Sequence, residues 1–131
     1  MSWIEELGDV YRKRSGSYFL DVHVSELEGI WPKLKEQAVT RISSMTVNDC
    51  GKELELIYHF VSGSDIINIK TRVSARKPQV KSIVSHFPGA ELIERELWET
   101  MGLEPLGHPD LRNSLLDKKL SPKKPGLKEE K

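Results

Sequence analysis

Residues 41–74 constrain the fold more than any other stretch, because they hold three strand-like segments joined by very short connections. The middle segment alternates the apolar side chains of Leu54, Leu56 and Tyr58 with polar neighbours such as Glu55, which is the period of a half-buried strand. Short connections that contain glycine are typical of antiparallel hairpins. We therefore expect three consecutive antiparallel strands, at about residues 41–48, 53–62 and 66–74.

A fourth strand is expected upstream, over residues 17–24. Tyr18, Leu20 and Val22 would lie on one face of this strand and His23 on the other. Because the alternation matches that of the three later strands, we expect all four to share one sheet with one face turned to the core.

Helical patterns surround these strands. Ser2 with Glu5, and Ser25 with Glu28, have the spacing of a capping box, and each pair precedes apolar residues at helical intervals. Pro32 lies too deep in the second of these segments to leave the helical hydrogen bonds intact, so a kink or restart is expected there. The predicted helices cover residues 3–14, 25–38, 78–87 and 90–101.

The predicted elements follow the order α-β-α-β-β-β-α-α. A helix buries its apolar stripe against a sheet, so the helices should cover the apolar strand residues. The predicted fold is a two-layer α+β domain with a small, mostly antiparallel four-stranded sheet and helices packed on one face. A chain of 131 residues is long enough to bury a core of its own, and we expect one domain over residues 1–116.

The last predicted helix places a carboxylate among apolar residues. Ala90, Leu97 and Met101 fall on one stripe, and Gly102 stands where a helix C-cap favours a residue that tolerates positive φ. Glu94 projects within that stripe. A carboxylate on an inward face needs a cationic or hydrogen-bonded partner, because burial without one costs several kcal/mol.

The segment after this helix is too apolar for a free linker. Leu103, Leu106 and Leu111 are interspersed with prolines and glycines at the spacing of tight turns, so we expect the segment to pack against the domain. Arg112 is the natural partner for Glu94, because a planar guanidinium binds a carboxylate through two parallel hydrogen bonds.

Helix and loop together resemble the signature of a known family, the 30 kDa subunit of respiratory complex I. The related small subunit of membrane-bound NiFe hydrogenases shares this signature. About ten residue types recur at fixed offsets over about twenty positions, which is far more specific than a short motif. The residues that carry the resemblance are Glu94-Arg95-Glu96, Glu99, Gly102 and Gly107-His108-Pro109-Asp110-Leu111-Arg112.

Charge is balanced over the whole chain but not along it. Twenty basic residues match twenty acidic ones, so no overall field draws the protein to nucleic acid or anionic lipid. Residues 117–131 hold six lysines against three acids, a net charge of +3, which leaves −3 for the rest of this neutral chain. The segment lacks aromatic residues and helical periodicity, so we predict a lysine-rich, flexible C-terminal tail.

The residues predict no catalytic, cofactor-binding or metal-binding site. Cys50 is the only cysteine, which excludes an intrachain disulfide and an iron–sulfur cluster ligated by cysteines of this chain alone. Glu94, Glu96 and His108 are candidate metal ligands, but helical residues two positions apart point about 200° apart. There is also no apolar run of about 18 residues, so contact with a membrane is expected only through partners.

The resemblance implies a non-catalytic, cofactor-free assembly subunit in the peripheral arm of a membrane-bound, ion-translocating redox complex. Its partners would be a large catalytic subunit, of the 49 kDa or NiFe hydrogenase type, and neighbouring iron–sulfur subunits. Those partners would hold the iron–sulfur clusters and any NiFe site, at the cytoplasmic face of the cell membrane. The expected interface or signature residues are Glu94, Arg95, Glu96, Trp98, Glu99, Gly102, His108, Pro109, Asp110 and Arg112.

Three interpretations of this function remain open. The chain lacks, after Leu116, the longer C-terminal extension associated with the complex I form, which favours an energy-converting hydrogenase or a related sulfur-reducing complex. The alternative is the C subunit of an NADH:quinone, or reduced-deazaflavin:quinone, oxidoreductase. The third interpretation is a free-standing binding module that uses the lysine tail, although six lysines without interleaved aromatic residues are weak evidence for it.

Overall fold

A computed structural model of the chain describes residues 2–14 and 16–109. This part of the chain contains seven β-strands and two α-helices. Two short 3-10 helices, Ser2–Glu6 and Val24–Glu26, precede β1 and α1. The elements in chain order are β1 (Asp9–Arg14), β2 (Ser17–Asp21), α1 (Leu27–Glu36), β3 (Ile42–Asp49), β4 (Glu53–Ser62), β5 (Asp65–Ser74), β6 (Gln79–Lys81), α2 (Ala90–Met101) and β7 (Glu104–Leu106).

Five of these strands form one mixed sheet, in the spatial order β1-β2-β5-β4-β3. β2 lies parallel to β5, and the other neighbouring pairs are antiparallel. All four predicted strands are present, but the prediction of a four-stranded sheet is wrong because β1 adds a fifth strand. β6 and β7 form a separate parallel pair that the sequence pattern did not predict.

The three central strands match their prediction closely. β3, β4 and β5 are consecutive and antiparallel, so the predicted hairpins are confirmed. Gly51 and Gly63 occupy the two connections with φ values of 93° and 66°, which lie in the region that glycine adopts without strain. The glycines therefore set the register of both hairpins, and the core face of β4 follows from that register.

The N-terminal segment differs from the helix predicted over residues 3–14. Ser2–Glu6 is a 3-10 helix, and the chain then enters β1 and pairs with β2. Ile4 and Leu7 are buried, as the apolar stripe predicts. Residues three apart lie on one side of a 3-10 turn as well as of an α-helix, so this short stripe does not distinguish the two.

α1 runs through a proline without a break. The helix is continuous although Pro32 lies inside it, so the predicted restart is absent. The predicted capping box of Ser25 and Glu28 does not begin α1, whose first residue has no side-chain cap. The backbone N–H of Ser25 instead donates to Nδ1 of His23 at 3.1 Å, which caps the preceding 3-10 helix.

The segment predicted as a helix over residues 78–87 is a strand followed by turns. β6 occupies its first part, and the amides of His86 and Phe87 then both donate to the carbonyl of Ile83, at 3.0 and 2.8 Å. Val80, Ile83 and Phe87 are nevertheless buried, as the apolar spacing predicts. The pattern identifies the buried residues but not the backbone conformation, because a few apolar residues at this spacing can lie on one side of consecutive turns as well as of a helix.

The core lies between the sheet and the two helices. Trp31 of α1 packs against Tyr58 and Phe60 of β4, with ring centroids 5.0 and 5.7 Å apart. Phe87 lies 4.9 Å from Phe60, and Ala90 of α2 is fully buried in the same cluster. The predicted α+β arrangement, with helices packed on one face of a sheet, is therefore present, and it brings the signature helix α2 onto the core.

Candidate partner-docking site

α2 carries the signature residues and ends where its glycine predicts. It covers the predicted residues, and Gly102 follows it in the left-handed region with φ 71° and ψ 15°. The Gly102 amide donates to the carbonyl of Trp98 at 3.1 Å. Glycine has no Cβ to clash in this conformation, so it lets the chain reverse directly after the helix.

Glu94 is buried and hydrogen-bonded within the chain. Its side chain is 3% exposed. The hydroxyl of Ser82 donates to Oε1 at 2.6 Å, and the backbone N–H of Ile83 donates to Oε2 at 2.9 Å. Ser82 Oγ also accepts from the amide of Val84 at 3.2 Å. The carboxylate therefore holds the turn after β6 against α2.

Burial raises the pKa of the Glu94 carboxyl above its ordinary value of 4.5, because an ionised carboxylate loses hydration inside the protein. The hydrogen bonds from Ser82 and Ile83 and the proximity of His108 oppose this rise. The Tyr58 hydroxyl is buried nearby, and burial together with the charges of Glu94 and Glu28 raises its pKa as well. Tyr58 is therefore neutral and does not supply a charge to the site.

The loop after α2 packs on the domain, as predicted, although Leu106 is 40% exposed and Leu111 lies outside the described residues. Leu103 and Pro105 are buried, and β7 pairs with β6. Nε2 of His108 donates to the backbone carbonyl of Glu91 at 2.8 Å. This bond fastens the end of the loop to the first turn of α2. The helix, the loop and the turn held by Glu94 consequently form one connected unit.

Of the other signature residues of α2, Arg95, Glu96 and Glu99 reach the surface, whereas Trp98 is buried. Arg95 lies 3.6 Å from Glu91 in an i, i+4 pair, which contributes only a few tenths of a kcal/mol in an isolated helix. Glu96 is exposed and Glu99 is half-buried. Trp98 is 8% exposed, and its indole N–H has no hydrogen-bond partner among the described residues.

The two partners of Glu94 were not predicted as site residues. Ser82 lies 12 positions before Glu94, in a segment interpreted as a helix, and the Ile83 contact uses only backbone. A serine that precedes a short turn is the one available signal, since its hydroxyl often bonds to an amide two residues on. Asp110 and the predicted partner Arg112 lie outside the described residues, so their pairing stays a prediction.

The described residues place no metal-ligand cluster around this site. Within residues 2–14 and 16–109, no group of three His, Cys, Asp or Glu side chains is arranged to hold a metal ion. Neither helix in that part of the chain combines the length and apolar character needed to span a bilayer. The interactions visible at the site are hydrogen bonds, an ion pair and apolar packing.

Known proteins resemble this chain in sequence over most of its length. The family described as the 30 kDa subunit of respiratory-chain NADH dehydrogenase matches residues 20–131. The C subunit of the NADH-quinone oxidoreductase of Roseobacter denitrificans is 35% identical over 105 residues, which cover 75% of this chain and 53% of that protein. The equivalent protein of Moorella thermoacetica is 31% identical over 101 residues, covering 73% and 68%. The chain thus spans about half the length of the Roseobacter relative.

Two solved structures share the fold. A trypsin-resistant fragment of Nqo5 superimposes with a TM-score of 0.72 at 16% identity, covering 84% of this chain and 97% of the fragment. A chain in the structure of a membrane-bound sulfane sulfur reductase, an archaeal respiratory membrane complex, gives a TM-score of 0.74 at 21% identity, covering 88% and 75%. At these identities the likeness establishes the architecture alone.

Proposed function

This chain belongs to the family of the 30 kDa subunit of respiratory-chain NADH dehydrogenase, and from that premise we propose that it is a non-catalytic subunit of a membrane-bound redox complex. The relatives named as the C subunit of NADH-quinone oxidoreductase favour a complex of that type. The chain's own contribution would be to position neighbouring subunits.

One observation carries the positioning role. The signature carboxylate of Glu94 is directed into the fold, where it accepts hydrogen bonds from Ser82 and Ile83, and His108 fastens the loop to the same helix. A helix tied at both sides loses little conformational freedom when a partner binds, so more of the contact energy is available for affinity. The outward residues of α2 would then form a pre-organised docking surface.

We propose a large catalytic subunit of the 49 kDa type as the main partner, together with neighbouring iron–sulfur subunits. Electron-transfer cofactors would reside in those partners, and this chain would hold none. The complex would lie at the cytoplasmic face of the cell membrane, with this chain in its peripheral arm and no direct contact with lipid.

A hydrogenase or sulfur-reducing complex is the second candidate. The signature of α2 and its loop also resembles that of the small subunit of membrane-bound NiFe hydrogenases, which supports this candidate. Both candidates assign the same role to this chain and differ in the electron donor and acceptor of the partners. Those substrates distinguish the two complexes directly.

The test is purification of the full chain, carrying a small affinity tag, from mildly solubilised native membranes. We expect one large species on a native gel that contains a large catalytic subunit and iron–sulfur proteins by mass spectrometry. Staining that band for NADH oxidation, hydrogen oxidation or sulfur reduction identifies the complex. Recovery of the chain only as a small soluble species would contradict the proposal and favour a free-standing binding module.

A further inference from the structure

The two edge strands of the five-stranded sheet differ in how well their sequences discourage pairing with another chain. Charged residues on an edge strand discourage pairing with another chain. β1 carries three consecutive basic residues at 12–14, whereas β3 has no charged residue from Ile42 to Asn48. β3 pairs with β4 on one side, and no described strand pairs with its other side. Among the described strands, the β3 edge is therefore the one open to a further strand.

A groove runs between this edge and α2. Its volume is about 630 Å³. The apolar side chains of Met45, Ile93 and Leu97 are partly buried against the core and provide apolar surface in the groove. Extended peptides bind in other proteins by adding a strand to a sheet edge, with their side chains in adjacent pockets. The remaining lining residues are Ser43, Ser44, Glu96, Glu99 and Thr100.

The charges on the groove indicate what it would bind. Glu96 and Glu99 line it, and no described lysine, arginine or histidine forms an ion pair with either carboxylate. Glu91, on another side of the same helix, lies 3.6 Å from Arg95. A cationic side chain next to apolar residues would complement both the rim and the floor of the groove.

We propose that this groove, named here the β3–α2 groove, binds an extended segment of a neighbouring subunit that alternates apolar and basic residues. The segment adds a strand to β3, places apolar side chains over Met45, Ile93 and Leu97, and pairs a basic residue with Glu96 or Glu99. This inference rests on the proposed function, because it requires that the chain have a neighbouring subunit.

Two other occupants fit less well. A second copy that paired through its own β3 would bring no lysine or arginine from that strand to Glu96 and Glu99. Residues 110–131 of this chain contain lysines, but they begin beyond His108, which is bonded to Glu91. Neither Glu91 nor His108 lines the groove, so the end of the described chain lies outside it.

The direct test places a photo-crosslinking amino acid at Ser44, in the full chain assembled in native membranes. The control carries the same amino acid at Tyr11, on the opposite edge strand, which is 50% exposed. We expect Ser44 to crosslink to a segment of a neighbouring subunit that contains a lysine or arginine flanked by apolar residues. An assembled complex with no crosslink from Ser44, or with crosslinks only to a second copy or to residues 110–131, would overturn the inference.

Charge reversal provides the second test. Glu96→Lys with Glu99→Lys should lower the fraction of chain incorporated into the complex at least about tenfold, because the like charges oppose a basic segment. The matched control is Glu5→Lys with Glu36→Lys, two exposed carboxylates outside the groove. Thermal unfolding of both variants checks that each is folded. Equal incorporation of the two double variants would contradict the proposal.

The two possible failures are distinguishable. If the wild-type chain enters no complex, the proposed function itself is wrong. If the wild-type chain enters the complex but Ser44 does not crosslink to a neighbouring subunit, the proposed function stands and the β3–α2 groove is not the docking surface.

Discussion

The two faces of α2 place glutamate side chains in opposite environments. Glu94 on the inner face is 3% exposed and accepts two hydrogen bonds from the turn after β6. Glu96 and Glu99, only two and five positions later, line an open groove and have no ion-pair partner among the described residues. One signature therefore combines a buried residue that holds the fold together with surface residues that have no ion-pair partner in the described part of the chain.

The contrast follows from the cost of burying charge. A carboxylate inside a protein loses its hydration, so it is tolerated only where donors replace the lost water. Ser82 and Ile83 supply such donors to Glu94. A carboxylate in solvent needs no partner in the free chain and keeps its charge for an interface. Residues of one motif thus need separate tests of stability and of binding.

The largest expected effect is on the inner face. Glu94→Ala should lower the unfolding free energy of the isolated chain by about 2 kcal/mol, because it leaves the Ser82 hydroxyl and the Ile83 amide without an acceptor. Glu91→Ala is the matched control and should cost less than about 1 kcal/mol, since it removes only a surface pair and keeps the carbonyl that binds His108. Urea denaturation measures both, and equal losses would remove the distinction between the faces.

The next largest effect on stability is expected at the C-terminal end of α2. Gly102→Ala should cost about 1 to 2 kcal/mol, because alanine is strained at φ 71°. Gly89→Ala is its control at the other end of α2. Gly89 has φ −65°, and apart from its chain neighbours no residue has a heavy atom within 4 Å of the position that an added methyl group would take, so the change should be neutral or stabilising by up to about 1 kcal/mol. A Gly102→Ala variant as stable as Gly89→Ala would show that the loop does not depend on this cap.

A smaller effect should appear as a dependence on pH. The native state raises the pKa of Glu94 above 4.5, so it binds the proton more tightly than the unfolded state does. The stability of the wild type relative to Glu94→Gln should therefore be highest below pH 4.5 and fall as pH rises above that value, levelling once Glu94 is ionised. Denaturation of both proteins across this range measures the difference, in which shared groups cancel. A difference that rises with pH would contradict the burial argument.

The smallest expected effect is that of removing residues 121–131, which lie outside the described part of the chain. Truncation after Leu120 removes a segment without apolar periodicity, so the unfolding free energy should change by less than about 0.5 kcal/mol. Incorporation into the complex is measured in parallel, because the lysines could contact an acidic partner. A large fall in the thermal midpoint would show that the segment packs on the domain.

Local signals account for what could be predicted from the sequence. The hairpins at Gly51 and Gly63, the length of α2 and the C-cap at Gly102 all follow from neighbouring residues, and the structure matches them. The inward position of Glu94 follows from the helical period alone. Each of these features is decided within about four residues of chain, where pattern and geometry are directly linked.

Contacts between distant segments account for the errors. β1 becomes a strand because it pairs with β2, although its residues continue a helical stripe that begins at Ile4. β6 and β7 are three residues each and are separated by α2, so neither has a periodic signal of its own. The Ser82 partner of Glu94 depends on the same pairing of distant segments. Charge complementarity alone therefore favours Arg112 as the partner of Glu94. The topology of the described residues instead places the Ser82 hydroxyl and the Ile83 amide next to Glu94.

A double-mutant cycle between Ser82 and Glu94 tests most directly the claim that the signature carboxylate acts inside the fold. Unfolding free energies of Ser82→Ala, Glu94→Ala and the double variant yield the coupling energy between the two side chains, with Glu91→Ala and Arg95→Ala as the outward reference cycle. We predict a coupling of at least about 1 kcal/mol for Ser82 with Glu94, and below about 0.5 kcal/mol for the reference pair. A coupling indistinguishable from zero between Ser82 and Glu94 would contradict the account.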